Sequence, residues 1–324
     1  MELDLKIYRG YANDREVVIM GHVFREKAPD RVDTHQSKWK HSLAILRMFR
    51  VRTADRAQID LSFNGKQIRG QTEEDGFFQL IFPYEGELES GWHEVEITAR
   101  TENHQRTERG EFIKPHPGEY GLISDIDDTF LVSHSGNALK KLYVMLTRNV
   151  QRRKVFTGVV EHYRALSQAG REHPSKSNIF FYVSSSEWNL YHFINEFTEL
   201  HDFPKAVLKL KDIKSGLRDF LKTGAGDHDH KFHKIKHILE FYPRLHFVLF
   251  GDDSQQDPDI YERLVARFPK NIKAVYIRQT EKTENKSTRA HVERMEALGV
   301  AVCYFRESEQ AMEHSQSVGL LSAD

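Results

Sequence analysis

The sequence predicts two domains. A small all-β sandwich spans residues 1–115, and an α/β domain with a doubly wound parallel sheet spans 116–324. Three observations lead there. Short alternating or β-branched stretches crowd the first third, continuous apolar runs alternate with helical patterns beyond it, and the polar stretch Thr101 to Pro117, with Pro115 and Pro117, separates the two. The length of 324 residues suits about two ordinary domains of ~150 residues each.

The β stretches run from Leu3 to Tyr8, Glu16 to Phe24, Leu43 to Val51, Ala57 to Phe63, Phe77 to Phe82 and Glu94 to Ala99. Between them stand the turn formers Asn64-Gly65, Asp75-Gly76, Pro83 and Gly91, and several short strands at this spacing predict a sandwich. Thr72 to Phe78, followed by Gly91-Trp92-His93, is similar to the hairpins of transthyretin-like or immunoglobulin-like domains. In the second domain the apolar runs are Gly121 to Ile123, Ile179 to Val183, Phe247 to Phe250, Ala274 to Ile277 and Val300 to Phe305. Apolar strands of this kind separated by amphipathic helices belong to a parallel sheet covered on both faces.

Composition narrows the function. Lys and Arg number 47 against 48 Asp and Glu, a formal net charge of -1, which argues against a nucleic-acid partner. No run approaches the ~18 apolar residues of a membrane span, and the opening Met1 to Gly10 has no basic flank before an apolar stretch. The single cysteine, Cys303, excludes an internal disulfide and a cysteine-built zinc site. A cytoplasmic protein is the expectation; nothing in the sequence speaks to oligomeric state.

Ligands of open α/β sheets sit at the carboxyl ends of the strands, and two of the predicted strands run into aspartates there. One gives Ser124-Asp125-Ile126-Asp127-Asp128-Thr129; the other gives Phe250-Gly251-Asp252-Asp253, with Asp257 close behind. Such clustering is costly without a cation or a bound proton, and oxygen-only ligands suit Mg²⁺ better than zinc. In an extended chain Asp125 and Asp127 point to one side, so one can act as nucleophile while the other handles the leaving group's proton. His233 and His237 have the i, i+4 spacing of a zinc pair, but the acidic clusters already supply a site for a hard cation.

Asp125-Ile126-Asp127-Asp128-Thr129 matches the D-x-D-x-T motif of the haloacid dehalogenase superfamily, and Ser184, Lys231 and Gly251-Asp252 with Asp257 follow in the order of its other motifs. More narrowly, Ser184-Ser185-Ser186 with Trp188, and Gly251 to Pro258 with Tyr261, resemble the catalytic domain of the actin-patch-type phosphatidate phosphatases and their bacterial relatives, over about Tyr120 to Thr280. The chain departs from that pattern at Asp253-Ser254, where the family tends to have Ser-Gly, and at Glu187, where it tends to have Pro.

The resemblance implies a haloacid-dehalogenase-like catalytic domain and a Mg²⁺-dependent phosphomonoester hydrolase, with phosphatidate as the expected substrate. Asp125 would attack phosphorus and form an aspartyl-phosphate, and Asp127 would serve as acid and base. Ser184 and Lys231 would bind the phosphoryl group. Mg²⁺ would be held by Asp125, Asp127 and Asp252, with Thr129, Asp253 and Asp257 in support. Lys234 competes with Lys231 for the lysine's part. The alternatives are a phosphatase of a soluble metabolite or phosphoprotein, and a non-catalytic phospholipid-binding module.

From Thr129 to Val160 there is no acidic residue, while Lys140, Lys141, Arg152 and Arg153 fall beside an apolar stripe of Leu139, Leu142, Leu146 and Val150. A basic amphipathic helix can grip a lipid phosphate or lie on an anionic membrane surface. These four, with Trp188 after the second motif, are the candidate substrate-binding residues, and peripheral membrane contact is the corresponding expectation. A core-facing helix with a basic solvent side is the competing one.

Overall fold

The computed structural model describes residues 3–26, 52–116, 120–126, 156–170, 177–211, 228–254 and 256–322. It divides into two compact units. The first comprises Met1–His116, Glu187–Ile194 and Leu210–Thr223; the second comprises Pro117–Ser186, Asn195–Lys209 and Gly224–Asp324.

The first unit carries β1 (Asp4–Ala12), β2 (Glu16–Phe24), β3 (Gln58–Phe63), β4 (Lys66–Gln71), β5 (Phe77–Pro83), β6 (Gly91–Arg100) and β7 (Gln105–Lys114). Alternation decides which face is buried. Along β5, Phe78, Leu80 and Phe82 turn inward while Gln79 and Ile81 face out, and Val95, Ile97 and Ala99 do the same on β6. With Val17, Ile19, Ile59, Leu61 and Phe112 they fill one core, each large side chain contributing about 1.5–3 kcal/mol.

Among the described residues two separate packed sheets do not form. All seven strands hydrogen-bond into a single sheet of order β4-β3-β6-β7-β1-β2-β5. It is antiparallel except for β1 against β7, where Gly10 and Tyr11 pair with Phe112 and Ile113 in parallel. The sheet curls until Leu80 of β5 lies against Gly70 of β4, at a distance that leaves no room for a Cβ there. The sandwich is therefore corrected to one nearly closed mixed sheet. The class of the whole chain is corrected with it, since strand makes up 41% against 29% helix and a doubly wound α/β fold does not describe that. In this unit two described strands lie where none was expected, as β10 (Ala206–Lys211) does in the other. One is β4; the other is β7, inside the stretch taken as a polar boundary. The predicted strand Leu43 to Val51 lies outside the described residues.

The second unit carries β8 (Tyr120–Asp125), β9 (Ile179–Glu187), β10 (Ala206–Lys211), β11 (His246–Asp252), β12 (Ile272–Arg278) and β13 (Ala301–Phe305) in one sheet of order β10-β9-β8-β11-β12-β13. The pairs β8–β9, β8–β11, β11–β12 and β12–β13 are parallel. The chain moves outward from β8 to β10 and then returns to the other side of β8 with β11. The topological switch point lies between β8 and β11, where a crevice opens at the strand ends. Helices α1 (Val159–Gln168), α2 (Tyr191–Leu200), α3 (His228–Phe241), α4 (Asp257–Arg267), α5 (Lys286–Ala297) and α6 (Ser308–Ser317) complete the described elements, with a single 3₁₀ turn at Trp188–Leu190. Among the described residues no helix is long and apolar enough to cross a membrane.

Candidate active site

Burial of β8 and β11 on both faces carries their last residues to the switch point in a fixed position. Asp125 ends β8 and Asp252 ends β11, at 3% and 0% exposure. Asp257 opens α4, where Pro258 occupies the first turn and the amino end of the helix favours a carboxylate. Carboxylate oxygens of Asp125, Asp252 and Asp257 come within 4.8 Å of one another.

Lys231, in the first turn of α3, reaches into this group. Its Nζ lies 3.0 Å from Asp125 Oδ1 and also donates to Asp257 Oδ1. Burial works against the ammonium, yet Asp125 and Asp257 together hold its pKa above the ordinary lysine value. Asp257 Oδ2 accepts from the Asp252 amide at 3.3 Å, and Asp252 Oδ1 accepts from the Ser254 amide at 2.6 Å. Asp252 Oδ2 is buried with no hydrogen-bond partner among the described residues. Burial, and then the charge of Asp257, push the Asp252 carboxyl up to about 7.

This donor set fits a hard divalent cation. Among the described residues three carboxylates converge, Asp252 Oδ2 meets no donor, and no nitrogen or sulfur ligand belongs to the group. Among the described residues this is the one such cluster. His233 and His237 are exposed along α3, apart from it.

Small residues make the convergence possible. A Cβ at Gly251 would stand 2.3 Å from Asp257 Oδ2 and 2.8 Å from Tyr261 Cε2, so only glycine lets α4 come this close to the end of β11. Tyr261 then ties the helix down by donating to the Phe250 carbonyl at 2.6 Å. On β8, Ser124 Oγ donates to the Asp125 carbonyl at 2.7 Å and lies 2.8 Å from the Tyr163 hydroxyl.

Of the residues singled out from sequence, the structure gathers Asp125, Asp252, Asp257 and Lys231 into one cluster. Ser184 is buried at 1% exposure on β9, and its carbonyl accepts from Lys234 Nζ at 3.3 Å. The two competing lysines are thereby separated: Lys231 meets the carboxylates and Lys234 meets the main chain of β9. Asp253 turns away. Its Oδ1 accepts from the Thr280 amide and hydroxyl at 2.8 and 2.6 Å, and its Oδ2 accepts from Tyr304 at 2.5 Å, bracing the ends of β11, β12 and β13. Trp188 is enclosed within the first unit, stacked on Tyr8 with centroids 4.3 Å apart and against Phe77 at 5.8 Å. Asp127, Thr129, Lys140, Lys141, Arg152 and Arg153 lie outside the described residues.

Sequence reasoning passed over Arg278, which ends β12 in register with Asp252 and is almost wholly buried. Its signal was its position, a charged residue closing an apolar strand as Asp252 does on β11.

A carboxylate cluster with a buried lysine thus sits at the switch point of a parallel sheet. Residues 120–279 match the family model described as phosphatidate phosphatase APP1, catalytic domain. The matched stretch takes in just under half of the chain and includes Asp125, Lys231, Asp252 and Asp257. Over 164 residues, half of this chain, the sequence is 29% identical to phosphatidate phosphatase APP1 of Saccharomyces cerevisiae, and the matched part spans 26% of that protein. Among solved structures, 98% of the chain pairs with 75% of XAC1771, a carbohydrate acetylesterase from Xanthomonas citri, at 10% identity and a TM-score of 0.34. Another 93% pairing, with 40% of a β-glucuronidase from Parabacteroides merdae, has 7% identity and a TM-score of 0.30. Likenesses at that level carry nothing about function.

Proposed function

We propose that this chain is a Mg²⁺-dependent phosphomonoester hydrolase of the haloacid dehalogenase superfamily, acting through an aspartyl-phosphate on a phosphatidate-type lipid phosphate. The observation that carries this reading is the buried cluster of Asp125, Asp252, Asp257 and Lys231 at the switch point. Three carboxylates and one ammonium leave a formal charge of about -2, which a single divalent cation offsets. Asp125, Asp252 and the main chain of Asp127 would hold the ion, which supplies charge neutralisation for an anionic phosphate approaching an anionic nucleophile.

The chain's own groups then divide the work. A carboxylate oxygen of Asp125 bonds to phosphorus as the ester oxygen departs, and Asp127 gives that oxygen its proton. Water deprotonated by Asp127 then attacks the same phosphorus, the acyl-phosphate P–O bond breaks, and free Asp125 and inorganic phosphate result. Lys231 neutralises charge on the phosphoryl oxygens, and Ser184 donates to one of them. Asp257 holds Lys231 through its Oδ1 and the Asp252 amide through its Oδ2. The basic segment containing Lys140, Lys141, Arg152 and Arg153 would meet the lipid, placing the protein at the cytoplasmic surface of a membrane.

Asp125→Asn tests the chemistry. Hydrolysis of a generic aryl phosphate should fall by several orders of magnitude while circular dichroism stays that of the wild type, and undiminished turnover would remove Asp125 as nucleophile. For the substrate, phosphate release from phosphatidate in mixed micelles is compared with a panel of sugar and nucleotide phosphates. A clear preference for a soluble ester would replace the lipid reading with that of a metabolite phosphatase.

A further inference from the structure

The sheet of the first unit buries side chains on both of its faces. Val17 and Ile19 of β2 turn into the core with Phe78 and Leu80, so Val18, Met20 and His22 stand on the outer face. Tyr8 joins them across the β1–β2 register and Phe77 across the β2–β5 register. The outer face of such a sheet is commonly solvated, as Gln79 and Ile81 are on β5. Tyr8, Val18, Met20 and His22 are instead at most 2% exposed. Standing over this patch is the segment Glu187–Ile194, which belongs to the first unit although it follows β9 in the chain. Trp188 stacks on Tyr8 with centroids 4.3 Å apart and the rings 11° from parallel, and it meets Phe77 at 5.8 Å. The Tyr191 ring lies 4.4 Å from Tyr8, and its hydroxyl accepts from the Arg9 amide at 2.8 Å. The Tyr8 hydroxyl lies 2.9 Å from His22 Nδ1, which fixes the ring on which Trp188 rests.

The chain passes from the second unit to the first between Ser186 and Glu187 and returns between Ile194 and Asn195. Ser184, buried near the end of β9, comes four residues before Trp188. At about 3.3–3.6 Å per residue the two Cα atoms are never more than about 14 Å apart, so the chain between them has little slack. A residue that only shields apolar surface can do so from many positions. A ring stacked on a hydrogen-bonded tyrosine has one seat, and the tyrosine that follows in the same segment is pinned to the main chain of β1.

Resting on the phosphatase reading above, we propose that Trp188 is a positioning residue, whose seat on Tyr8 in the first unit fixes the chain after β9 and, through it, the Ser184 hydroxyl that donates to the phosphoryl group. The β unit is then a working part of the phosphatase. Trp188 itself does not bind substrate, because its ring is taken up by Tyr8, Phe77 and Tyr191. The role belongs to a flat ring in a fixed place, so phenylalanine should largely preserve it and alanine should not.

The test is a kinetic cycle on the full chain with an aryl phosphate and Mg²⁺, at a temperature where circular dichroism shows every variant folded. Trp188→Ala should lose about tenfold to a hundredfold in kcat/KM and Trp188→Phe no more than about threefold, since a displacement of ~1 Å at a reacting centre can cost about a hundredfold. A merely structural role would not move the next readout. W188A added to Ser184→Ala should cost at most about twofold beyond S184A alone, whereas independent defects multiply. Phe82→Leu, on the inward face of the same sheet, should lower Tm while kcat/KM stays within about twofold of wild type. Full turnover by folded W188A, losses that multiply in the double variant, or an equal loss in F82L overturns the role. Should W188A fail to fold, Trp188→Leu, which keeps apolar bulk without the stack, enters the same cycle. Undiminished turnover by S184A would defeat the reading of the site and this role with it, whereas a damaged S184A beside a normal W188A defeats the part given to Trp188 alone.

Discussion

Replacing Lys231 by Met should damage stability and chemistry together, by an amount the geometry sets. Lys231 is 7% exposed, and its ammonium lies 3.0 Å from Asp125 Oδ1 and is shared with Asp257. Solvent screening is slight at such a site. Removing the cation leaves three carboxylates facing one another within 4.8 Å without the ammonium that bridges two of them. Breaking a buried pair in this way costs about 3–5 kcal/mol. For a unit of this size each kcal/mol moves Tm by about 2–4 °C, so the melting midpoint should fall by roughly 6–20 °C. Lys231→Met should also make the protein lean on a divalent ion, and adding Mg²⁺ should raise its Tm by more than it raises that of wild type. Lys234→Met is the control, because that lysine meets a neutral carbonyl of Ser184 and its loss should cost only about 1 kcal/mol. Thermal melts followed by circular dichroism, with Mg²⁺ and with EDTA, read all of this. A Lys231 variant that melts with wild type and hydrolyses aryl phosphate normally would refute the cluster as drawn. So would a Lys234 variant that loses more than the Lys231 one.

Two further outcomes follow from separate parts of the second unit. Gly251→Ala places a methyl 2.3 Å from Asp257 Oδ2 and should push Asp257 off both Lys231 and the Asp252 amide. Aryl phosphate turnover should drop at least tenfold, at a stability cost of about 1–3 kcal/mol in urea melts, and full activity would show that α4 does not need this closeness. His162 is buried against Ser315, its Nε2 2.7 Å from the hydroxyl, and burial, with Arg278 and His314, lowers its pKa to about 3. The neutral ring is the form that the fold accepts, so its contribution is complete above pH ~6.5 and is lost as pH falls from there toward 3. At ~1.4 kcal/mol per unit, about 2 kcal/mol should disappear by pH 5. Urea midpoints at pH 7.5 and 5.0 should show that loss in wild type and a flatter response in His162→Gln, and equal slopes would clear His162 of the effect.

The parts of the molecule that were legible in the sequence are those whose signal is local. Buried parallel strands announce themselves as apolar runs, and the carboxylates at their ends stand within the same few residues, so Asp125, Asp252 and Asp257 could be named before any contact was known. The lysine could not be settled that way. Lys231 and Lys234 are three residues apart on one helix and share a face, and only the depth of the first turn of α3 decides which one meets Asp125. The first unit was misjudged for a different reason. Alternation in β5 and β6 says which side chains are inside, but not whether strands belong to one sheet or two. That depends on the parallel pairing of Tyr11 with Ile113, about a hundred residues apart, which leaves no mark in either segment. β7 was hidden because Gln105, Arg106 and Thr107 are exposed and its first half carries no apolar alternation. Trp188 follows Ser184 closely in sequence, yet its partners Tyr8 and Phe77 come from distant strands.

The same separation of local and distant causes explains how three buried acids coexist. Asp257 is stabilised by its own helix, whose amino end favours an anion, and by Lys231. Asp125 shares that lysine. Asp252 has neither a helix end nor the lysine to itself; its Oδ1 is served by the Ser254 amide and its Oδ2 by no donor among the described residues. The repulsion that the other two have relieved is left on Asp252, which is why its carboxyl is pushed up to about 7 by burial and by Asp257. A divalent cation bound beside Asp252 would offset that repulsion. On the proposed reading a divalent cation would be held at the end of β11, while Lys231 from α3 would set the charge beside Asp125.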